Sequence, residues 1–200
     1  MKIGFIGLPK SGKTTLFNAL TGSSAQVSAF STGRVSPNLA SVRVYDERVE
    51  KLAAIYKPKR LVYPAIDIVD LAGVNEGDGK ADAFSGDLMK LARTVDALAI
   101  VLRNFNDAAS SAPSPFSDLK KIEQELLLAD LIIDEKRLEK VELSLKKGGA
   151  GNNVQTLKAE RDVLGMIVNA LNEGRPLRQL EFDDNQKALI RCFQFLTQKP

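Results

Sequence analysis

Apolar residues follow two rhythms along this chain, and the change comes just past the middle. In the first half, short apolar runs alternate with helically spaced ones. Ile3 to Ile6 is a compact apolar run closed by Gly7, which predicts a buried strand. Leu16, Phe17 and Leu20 then share one helical face over Lys13 to Leu20. Val42 to Tyr45 predicts a weak strand, and Asp46 an N-cap for a helix through Ile55 that Pro58 ends. Ala65 to Val69 predicts a strand closing at Asp70; glycines crowd 73 to 79, and a helical stretch runs to about Arg93. Ala97 to Leu102 is apolar on both faces, the pattern of a central parallel strand. Strands alternating with helices predict an α/β layered domain over residues 1–112, with a mainly parallel sheet.

The stretch from Ala108 to Ser117 is rich in Ala, Ser and Pro and reads as a linker. Beyond it Ile122, Leu126, Ala129, Ile133, Leu138, Val141 and Leu145 form an apolar stripe among Glu and Lys. That stripe predicts a helix of roughly 28 residues, about 40 Å long. Gly148, Gly149 and Gly151 break it, and Leu157, Leu164, Ile167 and Leu171 mark a second helix that Gly174 and Pro176 stop. Two amphipathic helices about one glycine-rich turn predict an antiparallel coiled-coil hairpin over 113–176. Asp183 or Asp184 is positioned to cap a short third helix burying Leu189, Ile190, Phe193 and Leu196, so 177–200 is expected to return toward the first domain.

Composition narrows the chemistry. The 200 residues are 44% apolar and 26% charged with net charge +3, which fits a soluble globular chain; the mild excess permits nucleic-acid contact without arguing for it. There is no histidine, which excludes Ser-His-Asp and Cys-His triads, His-ligated zinc and a His general base. Cys192 stands alone, which excludes an internal disulfide and suits a reducing compartment. The opening apolar run is too short for a signal peptide and no run approaches 18 apolar residues, so no targeting signal and no membrane partner are expected.

One segment carries recognisable chemistry. Gly7-Leu8-Pro9-Lys10-Ser11-Gly12-Lys13-Thr14 fits G-x-x-x-x-G-K-[ST] without a gap, with an apolar strand entering and a helix leaving. Gly7 and Gly12 let the backbone wrap with its N–H groups inward, making an anion nest at a helix N-terminus. The nucleotide-binding set is therefore Leu8, Pro9, Lys10, Ser11, Gly12, Lys13, Thr14 and Thr15. Lys13 supplies a point charge for the β- and γ-phosphates, the Thr14 hydroxyl is a hard ligand for Mg²⁺, and Thr15 is placed for the α-phosphate. Asp70-Leu71-Ala72-Gly73 follows an apolar strand in the D-x-x-G pattern of nucleotide switches. Asp70 would hold a water ligand of Mg²⁺, and the Gly73 N–H would contact the γ-phosphate and sense its loss. Between these motifs Thr32 is one of several hydroxyls in a Ser/Gly-rich loop.

These residues resemble the Obg-like ATPase family, the YchF proteins of the translation-factor class of P-loop GTPases. The resemblance lies in Gly7 to Leu20, Phe30-Ser31-Thr32, Pro37-Asn38, Lys57-Pro58-Lys59, Asp70 to Gly73, Glu123 to Asp130 (EQELLLAD) and Phe195 to Pro200 (FLTQKP). It implies a nucleotide-hydrolysing G domain with an inserted helical arm, cytoplasmic ATPase or GTPase activity, ribosome association, and Thr32 as the second hydroxyl on Mg²⁺. It also implies a base-reading motif and a TGS domain beyond Pro200, so the sheet is expected to be incomplete and the chain to be a fragment or a shortened relative. The next strand would lie beside Ala97 to Leu102, and that edge is expected to be covered by the arm, the C-terminal segment or another copy of the chain.

Two departures from the family pattern bear against regulated switching: the glycine-rich switch is largely replaced by Val74 to Lys80, and the loop at Gly33 to Ser36 is longer than expected. At Val74, where Ras-type enzymes orient water with glutamine, this chain and the resembling family alike have an apolar residue with no side-chain hydrogen bond to offer. Slow intrinsic hydrolysis is the expectation. At position 10, relatives that need K⁺ place an asparagine; Lys10 either reaches over the β–γ bridge as a built-in cation or points into water. The assigned catalytic set is Lys13, Gly73 and Lys10, and the metal set Thr14, Thr32 and Asp70. A slow, nucleotide-switched NTPase is the first reading, and a catalytically weak nucleotide-binding module presenting a helical arm to protein or RNA is the second. A small-molecule kinase is disfavoured, because an arginine-bearing lid is replaced by a coiled coil.

Overall fold

The first strand forms where the sequence places it. In the computed structural model, which describes residues 1–22, 37–71, 84, 86–106, 112–148 and 154–200, β1 is Lys2–Ile6 and α1 is Lys13–Thr21. They are followed by β2 (Asn38–Arg43), α2 (Glu47–Tyr56), β3 (Ala65–Asp70), α3 (Gly86–Arg93) and β4 (Ala97–Ile100). The described strands form one sheet in the order β2-β3-β1-β4. β1 runs parallel to β3 and β4, and β2 is antiparallel to β3. Phe5, Phe17 and Ile68 are buried together, with Ile3, Ala40, Val42, Ile66, Ala99 and Val101 against them. Asp46 caps α2 as expected: its side chain accepts from the Arg48 N–H, and its hydrogen bonds to the Arg48 side chain and then backbone hold its carboxyl at about 2.

Two strands depart from expectation. The weak strand expected at Val42 to Tyr45 is β2, which begins four residues earlier and ends two earlier. Its large residue Leu39 faces solvent while Ala40 and Val42 face the core, so hydrophobic size misleads and pairing to β3 sets the register. β4 is shorter than Ala97 to Leu102 and lies at an edge of the described sheet, although the Val101 N–H still donates to the Ile6 carbonyl.

Contacts divide the chain into two compact units, Met1–Ser114 and Pro115–Pro200. The second is helical: α4 (Pro115–Lys146), α5 (Val154–Asn172) and α6 (Asp184–Ile190), with short 3₁₀ turns at Leu177–Gln179 and Arg191–Phe193. Pro115 suits the first helical position, where its missing N–H has no intrahelical role. At 32 residues α4 exceeds the expected length and spans about 48 Å. α4 and α5 form the hairpin, with Arg137 of one paired to Glu160 of the other at 2.7 Å. Val163, Ile167 and Leu171 of α5 pack with Leu177, Phe182, Ile190 and Phe195, so the last 24 residues fold onto the hairpin. Each such fully buried side chain contributes about 1.5–3 kcal/mol. Asp183 caps α6 in a capping box with Gln186.

The buried face of α4 differs from the expected stripe. Ile122, Leu126 and Val141 are buried as expected, but Asp130 and Asp134, both 0% exposed, lie between them. Asp130 is fully engaged: one oxygen accepts from the Leu196 N–H at 3.0 Å, the other from the Thr197 N–H at 2.8 Å and its hydroxyl at 2.9 Å. The Thr197 hydroxyl in turn accepts from the Leu177 N–H, and its carbonyl from Arg178. Asp130 therefore joins the two motif stretches EQELLLAD and FLTQKP. Neither oxygen of Asp134 has a hydrogen-bond partner in the described structure. Burial, then the charges of Asp130 and Glu135, push its carboxyl up to about 7.

Candidate nucleotide site

The parallel register brings the carboxyl ends of β1 and β3 side by side, with Phe5 opposite Asp70. Ligand sites of open α/β sheets form at this end. β1 feeds the loop Gly7 to Gly12, and α1 leaves it. Gly7 must be glycine here, because a Cβ would collide with the Val101 carbonyl oxygen and come within 2.9 Å of Ser11 Oγ. Gly12 caps α1 in the left-handed region, φ 91°, with no side-chain cap and no acidic residue in the first turn. No carboxylate of α1's own first turn offsets the positive end of the helix. Lys10 is also left-handed, φ 60°, which is uncommon for a non-glycine residue and holds the loop in its tight curve.

The charged group sits at the centre of that curve. Lys13, 7% exposed, donates to the Gly7 and Leu8 carbonyls at 2.9 and 2.8 Å and lies 3.4 Å from Ser11 Oγ. Thr14 donates its hydroxyl to Asp70 Oδ2 at 2.8 Å, and Asp70 is 1% exposed. Two residues 56 apart in sequence therefore bring two hard oxygens to one point, one of them on the residue that follows Lys13. Oxygen donors of this type fit Mg²⁺, whose ligands are carboxylate, hydroxyl and water.

Of the other assigned residues, Leu8 is half-buried, Pro9, Lys10 and Thr15 are exposed, and Ser11 is buried. Thr32 and Gly73 lie outside the described residues, as does Val74. One residue was not identified by sequence reasoning. Phe105, 52% exposed, follows β4, and a side chain begun at Gly12 would meet its ring at 3.6 Å. An aromatic ring is thereby set at the lip of the loop. No local pattern marks it, because the adjacency arises from β4 pairing with β1.

Comparison with known proteins bears on the family and the fold. The sequence profile of the family described as "50S ribosome-binding GTPase" matches residues 2–147. The chain is 32% identical to "Ribosome-binding ATPase YchF" of Bacillus subtilis over 201 residues, covering 98% of this chain and 54% of that protein. It is 35% identical to the protein of the same name from Escherichia coli O157:H7, covering 100% of this chain and 54% of the relative. Against "Obg-like ATPase 1" of Oryza sativa subsp. indica identity is 32%, with 100% and 51% covered. The solved Schizosaccharomyces pombe YchF GTPase superposes with a TM-score of 0.81 at 30% identity, covering 100% of this chain and 55% of that one. The chain thus spans about half the length of the curated relatives it matches.

Proposed function

The chain belongs to the 50S ribosome-binding GTPase family, where its homologues are YchF and Obg-like ATPases, and from that premise we propose that it binds ATP or GTP with Mg²⁺ and hydrolyses it slowly as part of a ribosome-associated cytoplasmic protein. The observation that carries this reading is Lys13 held at the centre of the Gly7–Gly12 curve, with the next residue, Thr14, paired to Asp70. A triphosphate tail offers the ammonium stronger acceptors than the Gly7 and Leu8 carbonyls, and the loop N–H groups and the α1 N-terminus add to its binding. Thr14 and Asp70, joined by Thr32, would hold Mg²⁺, which when bound neutralises charge on the β- and γ-oxygens. Water attacks the γ-phosphorus, the bond to the β–γ bridging oxygen breaks, and nucleoside diphosphate and phosphate leave. Lys13 stabilises the charge that develops on the departing oxygen, and Gly73 reads the γ-phosphate through its N–H.

Lys10 is assigned a second cationic role near the bridge. Its backbone is turned into the loop while its side chain is exposed and able to fold over a bound phosphate. Turnover would then be insensitive to exchange of Na⁺ for K⁺, and Lys10→Ala would slow it; clear K⁺ stimulation, or full activity in the variant, contradicts the role.

The relatives are named as ribosome-binding, and the arm is the proposed point of contact in this chain, where Lys146 and Lys147 are exposed at the end of α4. Of the other arm cations, Arg137 is engaged with Glu160. Co-sedimentation with ribosomes that falls with salt and with a Lys146→Ser/Lys147→Ser change supports this; salt-independent binding argues against RNA contact there.

Isothermal titration of ATP, GTP and ADP with Mg²⁺, followed by phosphate release, tests the whole reading. Triphosphate binding with slow release is expected. Binding with no turnover favours the nucleotide-binding module, and no binding overturns both.

A further inference from the structure

The strongest feature outside the nucleotide site is the surface formed by α2 and the segment that follows it. α2 buries none of its residues. Ile55 and Tyr56 are 71% and 76% exposed, and Leu52, Leu61 and Val62 also face solvent. Residues 43–63 carry six Lys and Arg against three carboxylates, an excess of three that equals the net charge of the whole chain. The carboxylates are already engaged: Asp46 with Arg48 at 2.6 Å, Glu47 with Lys51 at 4.0 Å, and Glu50 accepting from the Tyr63 hydroxyl at 2.9 Å. Arg43, Lys57, Lys59 and Arg60 are exposed and form no ion pair with the described residues. Tyr45 and Tyr63 stack with ring centroids 5.5 Å apart, so the two ends of this segment close on each other. Lys57 takes a left-handed backbone, φ 44°, which turns the chain sharply after Tyr56.

Uncompensated cations interleaved with exposed aromatic and aliphatic faces are the surface chemistry of single-stranded nucleic-acid binding, in which phosphates meet the cations and bases stack on the rings. A protein partner fits less well. Lys is depleted in protein–protein interfaces, whereas this segment exposes Lys57 and Lys59 between Tyr56 and Tyr63. We propose that α2 and the segment Tyr56–Tyr63 form a docking surface for single-stranded RNA, with Lys57, Lys59 and Arg60 on phosphates and Tyr56 stacking on a base. This deepens the ribosome-association reading by giving the nucleotide-binding unit its own RNA contact, apart from the arm. Free RNA as the probe separates the two: a failure here leaves arm-mediated co-sedimentation to be judged by itself.

The test is fluorescence anisotropy of the full chain with a labelled 20-nucleotide oligouridylate and an adenine-rich counterpart, from 25 to 200 mM KCl. A self-complementary RNA duplex and polyglutamate serve as the other arms. Single-stranded RNA is expected to bind more tightly than either. Lys57→Ser/Lys59→Ser/Arg60→Ser should reduce the slope of log affinity against log salt by about two. Tyr56→Ser should weaken binding about tenfold or more with the slope unchanged. Circular dichroism and Mg²⁺–nucleotide binding of both variants check the fold, since none of these residues belongs to the nucleotide site. The proposal is overturned if single-stranded RNA fails to bind at 25 mM KCl, if polyglutamate or duplex binds as well, or if folded variants bind like the parent.

Discussion

Gly7, Gly12 and Lys13 show why the nucleotide loop is legible in a sequence. Each is demanded by a local constraint: a close approach to Val101, a left-handed cap, and a charge at the centre of the curve. Phe105 is the opposite case, since only the pairing of β4 with β1 brings its ring to Gly12. Its position predicts a platform for the base. Phe105→Ala should weaken ATP binding on the order of tenfold while leaving inorganic triphosphate binding unchanged. Equal losses for both ligands in a titration would show that the ring only supports the loop.

At the level of elements, α4 shows what a periodicity reading misses. Counting apolar positions finds Ile122, Leu126 and Val141 but passes over Asp130 and Asp134, whose burial depends on what packs against them. The same limit shifted β2, where the outward Leu39 outweighs the inward Ala40 by size alone. Asp130→Ala would leave the Leu196 and Thr197 donors without their acceptor and should cost roughly 2–4 kcal/mol in urea unfolding. A change below about 0.5 kcal/mol would mean the turn holds without it. Asp134 works the other way. Its folded value of about 7 lies above its ordinary 3.8, so between those values the folded state holds a proton that the unfolded chain has released. Its contribution to stability falls as pH rises from about 4 to about 7 and stays low above that. Asp134→Leu should therefore stabilise the protein by roughly 2–4 kcal/mol at pH 8 and by clearly less at pH 5. An equal gain at both values would contradict burial of an unpartnered carboxyl.

Across the whole chain, the alternation of strands and helices was sufficient to reveal the α/β unit and the hairpin, because both periods are long and regular. The folding of residues 177–200 onto α5 depends on Leu177, Phe182, Ile190 and Phe195 meeting one cluster, which spacing alone does not reveal. The described sheet ends at β4, whose strand edge is a template for further pairing. If another copy covers that edge, sedimentation velocity will show concentration-dependent self-association of this 200-residue chain; a monomer at every concentration rules out that cover. The central claim concerns the Gly7–Gly12 curve, and a fluorescent triphosphate analogue titrated in Mg²⁺ against the parent and Lys13→Ala tests it most directly. A loss of affinity of at least tenfold in a variant that remains folded is the predicted result, and undiminished affinity in that variant would contradict the account.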